Sequence, residues 1–410
     1  MTKRRLGDRV LAPFTRVTSS GRYIPEVDGL RCLAIVLVVL FHSHHLFRTG
    51  DEPVTAAAIS DSGWPAVLTY FPNFFIAKGY YGVQIFFMIS GMVLALPFAA
   101  HRLQGAKKPV MRDYFRRRLV RIEIPYLITL TFFFLWALVY NERTFSELLP
   151  RYFAGLIYSH SLLYDGALNP LLTVAWTLEI EIQFYLLAPL LCRTFCLSNS
   201  FLRRGLLLIS IALVSPLMSY ANEILPSVIW RESVLDHLSY FLSGILLADL
   251  YLTPRFQAIR ENNEGGLWNV IGLIAWPAVF LLIEFPWPVD AKPFVLILAF
   301  LAVFAGPRLR SAFSNRWIAA VGMMCYTIYL FHSFFIYAVL SPTVFTWILP
   351  ITPGNWPWNL VLMSLLLLLS IVLSALLFLI LEKPFARGRL PRAFGRESKA
   401  PACPQPAQSS

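Results

Sequence analysis

Long apolar runs alternate along the chain with short polar stretches rich in Lys and Arg. A helix that crosses a bilayer needs about 20 mostly apolar residues, and fewer where neighbouring helices bury it. Ten runs meet this condition, over residues 28–47, 79–98, 122–141, 171–192, 205–221, 235–252, 267–284, 293–306, 317–340 and 357–381, the eighth being the shortest. The pattern predicts an all-α, polytopic integral membrane protein with about ten transmembrane helices. Residues 1–27 precede the first run as an N-terminal segment, residues 28–386 form the transmembrane domain, and residues 387–410, rich in Pro, Ser, Gln and basic residues, predict a disordered tail.

Composition narrows the class. Of 410 residues, 57% are hydrophobic and 14% charged, against about 25% charged in ordinary soluble proteins. The net charge of +12 does not call for a nucleic-acid partner, because the cations flank the apolar runs, where the positive-inside rule accounts for them. With the N-terminus inside, 29 of the 35 Lys and Arg residues fall on the cytoplasmic side, Arg31 included. Both termini are therefore expected in the cytoplasm. No cleavage site follows the N-terminal basic residues, so the first span should stay attached. Five cysteines without regular spacing predict neither a disulfide framework nor a metal site. No Gly-rich phosphate loop and no internal repeat occurs, and no resident cofactor is expected.

The first span carries the main chemical clue. Arg31 and His42 are eleven residues apart, which at about 100° per residue brings both side chains to one helix face, about 16 Å apart along the axis. Ionisable groups inside a span usually face a polar interior rather than lipid, so this face is expected to line a polar cavity. Asp28 precedes Arg31 by three residues and can pair with it at the helix start. His42, deep in the helix from its cytoplasmic end, is a candidate base, since a buried imidazole favours its neutral, proton-accepting form. In the fourth span Glu179 and Glu181 are two residues apart and point about 200° from one another, so they cannot serve one cavity. Glu181 shares its face with Thr177 and Tyr185. Arg116, Arg117, Arg118 and Arg121 stand just before the third span, where four guanidiniums would repel unless anions visit. Arg binds phosphate bidentately, although positive-inside topology or anionic lipid headgroups would also explain the cluster. Tyr326, Tyr329 and His332 recur on one face of the ninth span.

The arginine, ten residues, histidine arrangement that follows VDGLR resembles the membrane-bound acyltransferase 3 family. FFMISG (86–91), RRRLVR (116–121), WTLEIEIQFYLLAP (176–189), YTIYLFH (326–332) and LEKP (381–384) resemble its other landmarks, in order. The resemblance implies an O-acyltransferase of the cytoplasmic (inner or plasma) membrane that moves an acyl group, acetyl above all, from cytoplasmic acyl-CoA, as cosubstrate, to a hydroxyl of an extracytoplasmic glycan or glycolipid. It assigns catalytic roles to His42, Arg31 and Glu181. Arg116, Arg117, Arg118 and Arg121 would seat the coenzyme A phosphates, with Trp176, Tyr329 and His332 as further substrate-binding residues. The rival reading is a proton-coupled transporter, which would also bury His, Glu and Arg. The segments at 48–78 and 142–170, which mix aromatic with polar residues, are expected to be the longest outside the membrane.

Overall fold

The computed structural model describes residues 11–14, 23–45, 66–140, 143–224, 233–262, 265–282, 290–336 and 356–385. The predicted tail, most of the N-terminal segment, Cys403 and the far ends of several predicted spans lie outside these residues. The described chain is helical: α1 (Pro25–His45), α2 (Ala66–Ala77), α3 (Tyr81–Gln104), α4 (Met111–Tyr140), α5 (Phe145–Leu156), α6 (His160–Leu163), α7 (Trp176–Leu191), α8 (Ser200–Ile224), α9 (Leu238–Tyr251), α10 (Pro254–Glu261), α11 (Gly266–Leu281), α12 (Lys292–Ala305), α13 (Pro307–Phe313), α14 (Arg316–Met323), α15 (Cys325–Phe334) and α16 (Trp356–Leu381).

Among the described residues, six helices are long and apolar enough to cross a bilayer, or nine if each of three bent pairs counts as one span. The expected ten is not reached by that measure. The remaining predicted run, 235–252, is α9, which has only 14 residues. The bends fall at α10–α11 (102°), α12–α13 (88°) and α14–α15 (64°). The second is written locally, since Gly306–Pro307 ends α12 and starts α13.

The short α9 is buried along nearly its whole length and packs most extensively against α3. Gly91 and Gly244 make this crossing possible: a Cβ on Gly91 would strike the backbone of Phe241, and one on Gly244 the backbone of Met88 and Met92. Small residues at such crossings let helix backbones approach where no water-driven force brings them together. Gly322 of α14 similarly lies against the Asp28 carbonyl of α1. On the bundle's outside, Val361, Leu365, Leu368, Val372, Leu376 and Ile380 of α16 form one exposed apolar stripe at three- and four-residue spacing, and Leu202, Leu206, Ile209, Leu213 and Leu217 of α8 form another. Exposed apolar stripes of this length fit lipid as their solvent.

One segment departs from expectation. Residues 142–170 read as an external connection, yet the described part folds back beside α4. Glu147 accepts a hydrogen bond from the Thr144 backbone (3.0 Å), starting α5. Going forward along α5, Phe145 meets Phe134, Tyr152 meets Phe134 and Thr131, Tyr126 donates to the Gly155 carbonyl (2.9 Å), and Tyr158 stacks on Tyr126 and donates to Glu123. From Phe134 to Glu123 is eleven residues, so the chain returns about 16 Å along α4 before α7 begins. A search for runs of about 20 apolar residues cannot find a 12-residue helix that contains Pro150 and Arg151.

Candidate active site

α1 supplies the first two groups, as its periodicity predicts. His42 lies one turn from the end of α1, and its Nδ1 is 2.9 Å from the Val38 carbonyl, four residues back. Its ring meets His332 of α15, with centroids 4.8 Å apart at 73° and His332 Nε2 3.3 Å from His42 Nδ1. His332 is fully buried. Its own Nδ1 lies 2.8 Å from the Tyr329 carbonyl, and Ser333 Oγ is 3.3 Å from its Nε2. One turn back along α15, Tyr329 OH is hydrogen-bonded to Thr177 Oγ1 (2.8 Å) and donates to the Val174 carbonyl (3.2 Å). The first turn of α7 is thereby fixed to the helix that carries His332. Sequence reasoning placed Tyr329 and His332 on one face, and the structure adds His42 to it.

A second group collects at the Arg31 end of α1. Arg31 Nη1 donates to Asp28 Oδ1 at 2.6 Å, with both side chains largely buried. Glu181 Oε1 accepts from Ser90 Oγ (2.7 Å) and from Tyr185 OH (2.5 Å), so the neighbour expected one helical turn away is in place. Arg31, Arg118, Arg121 and Glu181 thus share one charged neighbourhood. Arg121 Nη2 lies 3.8 Å from Glu382 Oε1, whose other oxygen accepts from Thr327 Oγ1 (2.9 Å). Arg31 and Arg121 thus each have a carboxylate within ion-pair range, Asp28 and Glu382 respectively.

The predicted arginine cluster divides. Arg118 and Arg121 are three residues apart and turn inward, whereas Arg116 is exposed and pairs with Asp113 at 3.2 Å. The side chain of Arg117 lies outside the described residues. Trp176 opens α7 and sits beside His237, ring centroids 6.0 Å apart. Glu179, which the sequence left without a role, is 2% exposed and accepts from the backbone N–H groups of His160 (3.1 Å) and Ser161 (3.0 Å), clamping α6 in place. The opposed directions of Glu179 and Glu181 agree with their two-residue spacing. Ser90, Thr327 and Glu382 were not singled out for the site. The LEKP stretch pointed to Glu382, but its partner in α4 is far away in sequence. No cluster of three His, Cys, Asp or Glu side chains that could hold a metal occurs among the described residues.

A bundle of apolar helices that gathers two histidines at one level and arginines with carboxylates at another has the make-up of a polytopic membrane protein. The chain belongs to the acyltransferase 3 family: the family model described as an acyltransferase domain matches residues 24–378. It is 23% identical over 398 residues to the peptidoglycan O-acetyltransferase OatA of Listeria monocytogenes, a match covering 90% of this chain and 56% of the relative. It is also 23% identical over 348 residues to a putative O-acetyltransferase of Staphylococcus aureus strain COL, covering 78% of this chain and 51% of the relative. The chain spans about half the length of these curated relatives. No solved structure matches it.

Proposed function

We propose that the protein is an integral membrane O-acyltransferase that moves an acetyl group from cytoplasmic acyl-CoA to a hydroxyl of an extracytoplasmic glycan or glycolipid. The observation that carries this reading is the pair of polar levels on one helix, Arg31 among carboxylates at one end of α1 and His42 against His332 at the other. The family and the O-acetyltransferase relatives support the reaction class.

Acyl transfer needs a base for the attacking hydroxyl and a held thioester. His42 Nδ1 faces the Val38 carbonyl, which places its proton there and leaves Nε2 as the basic nitrogen. Nε2 takes the acceptor's hydroxyl proton as its oxygen attacks the thioester carbonyl. The C–S bond breaks, and the coenzyme A thiolate takes that proton from Nε2 as it leaves, which returns His42 to its neutral form. Arg118 and Arg121 lie on the cytoplasmic side and attract the donor's anionic part, while Arg31 and Glu181 hold the interior between donor and base in charge balance.

The test is His42→Ala in membranes supplied with acetyl-CoA and an envelope glycan acceptor. The variant should insert and bind acyl-CoA but lose transfer by about 10²-fold or more. Transfer near the wild-type rate would remove His42 from the mechanism. A proton-coupled transporter would show acidification-driven solute uptake and no acylated product.

A further inference from the structure

We propose that His332 is the positioning residue for His42, accepting its Nδ1–H and stabilising the imidazolium formed during transfer. This rests on the proposed role of His42 as base. His332 comes from α15, 290 residues along the chain, and puts its Nε2 3.3 Å from His42 Nδ1. His332 Nδ1 lies 2.8 Å from the Tyr329 carbonyl, and a carbonyl can only accept, so the His332 proton is on Nδ1 and its Nε2 presents a lone pair. His42 Nδ1, facing both the Val38 carbonyl at 2.9 Å and that lone pair, is the donor to both. The two bonds have different consequences. The bond to Val38 lies within one helix and ties the ring only to its own backbone. The bond to His332 fixes the ring against a second helix, and Tyr329 bonds that helix in turn to the first turn of α7.

The chemistry follows from the proton count. Neutral His42 takes one proton at Nε2 and becomes an imidazolium, and its Nδ1–H bond to a neutral acceptor becomes charge-assisted, about twice as strong as before. Because this strengthening exists only once the proton has moved, it acts on the rate of transfer rather than on substrate binding. Ser333 Oγ, also 3.3 Å from His332 Nε2, is the competing donor for that single lone pair, and the charge that develops on His42 favours the His42 bond over it.

His332→Ala and His332→Gln separate this role from packing, because the Gln carbonyl can still accept from Nδ1–H but cannot be protonated. Transfer kinetics and acyl-CoA binding should be measured on both purified variants. His332→Ala should lower kcat by about 10-fold or more with both KM values within about threefold. His332→Gln should recover most of the lost rate, and in a His42→Ala background His332→Ala should add no further loss. An unchanged kcat in His332→Ala, a raised KM with kcat intact, additive losses in the double variant, or a Gln variant as slow as Ala would each overturn the proposal. If His332→Ala does not bind acyl-CoA, the Gln variant decides alone: near-normal kcat supports the role and a lost kcat overturns it. Full activity of His42→Ala is a different result and would remove the base assignment itself.

Discussion

At the scale of single residues, the two neighbouring glutamates of α7 make the sharpest contrast. Glu179 accepts two backbone N–H groups of the returning segment, a structural task, so Glu179→Ala should strand two buried donors at a cost of about 1–3 kcal/mol each. The expected outcome is a lowered unfolding temperature in detergent with little change in transfer per folded molecule. Glu181→Gln keeps an acceptor for Ser90 and Tyr185 but removes the charge facing Arg31 and Arg118, and it should slow transfer more than it lowers stability. The reverse order of effects would exchange the two roles. Arg118→Ala and Arg121→Ala together should raise the KM for acyl-CoA well above any change in the KM for acceptor, and unchanged donor affinity would leave these arginines a topological role only. Much of this was legible in sequence: Arg31 and His42 on one face, Asp28 beside Arg31, Tyr185 one turn from Glu181. The contact of His42 with His332 was not, because helical periodicity orders residues within one helix and says nothing about which other helix its face will meet. The pairing of Glu382 with Arg121 was hidden for the same reason.

At the scale of elements, the returning segment changes how the fourth span is read. It was expected to enter from outside, whereas the segment before it already lies alongside α4 as deep as Glu123. Ile157, two-thirds exposed at the end of α5, adjoins the Tyr126 level. A nitroxide on Ile157→Cys should therefore report the bilayer interior in a depth measurement, while one on Phe145→Cys should report a position nearer the interface. Equal, interfacial depths would restore the external connection. The α3–α9 crossing depends on two glycines, and Gly244→Val should disrupt it because the obstruction is backbone, which cannot move aside as a side chain can. Loss of folded protein in fluorescence-detected gel filtration would show this, and Gly205→Val, with open space around it, serves as the control.

For the whole molecule, the exposed stripes on α8 and α16 set the solvent. Leu368 is 58% exposed near the middle of α16; on a water-facing helix its replacement by Arg would be nearly neutral, but in lipid it should cost about 2.5–3.5 kcal/mol of insertion free energy. Glycosylation or reporter mapping of Leu368→Arg measures that cost directly, and a neutral outcome would mean that another protein covers the stripe. That the chain is a series of apolar helices was visible from hydropathy, but neither their number, six to nine candidate spans among the described residues against ten expected, nor their geometry was. A bend of 64–102° between two short helices looks in sequence like one continuous span or a loop, and only the packing around it distinguishes the two.

The clamp of Glu179 on His160 and Ser161 also bears on the order in which the molecule is assembled. α5, 12 residues long and containing Pro150 and Arg151, is too short and too polar to be threaded into lipid as a span of its own. It can settle only after α4 and α7 stand side by side to receive it, so in biosynthesis this part of the wall closes last. Short elements added late, with few helical turns of their own, are also among the first to open. Hydrogen exchange should therefore find residues 145–172 exchanging ahead of α3 and α9, and Glu179→Ala should quicken that opening without touching theirs.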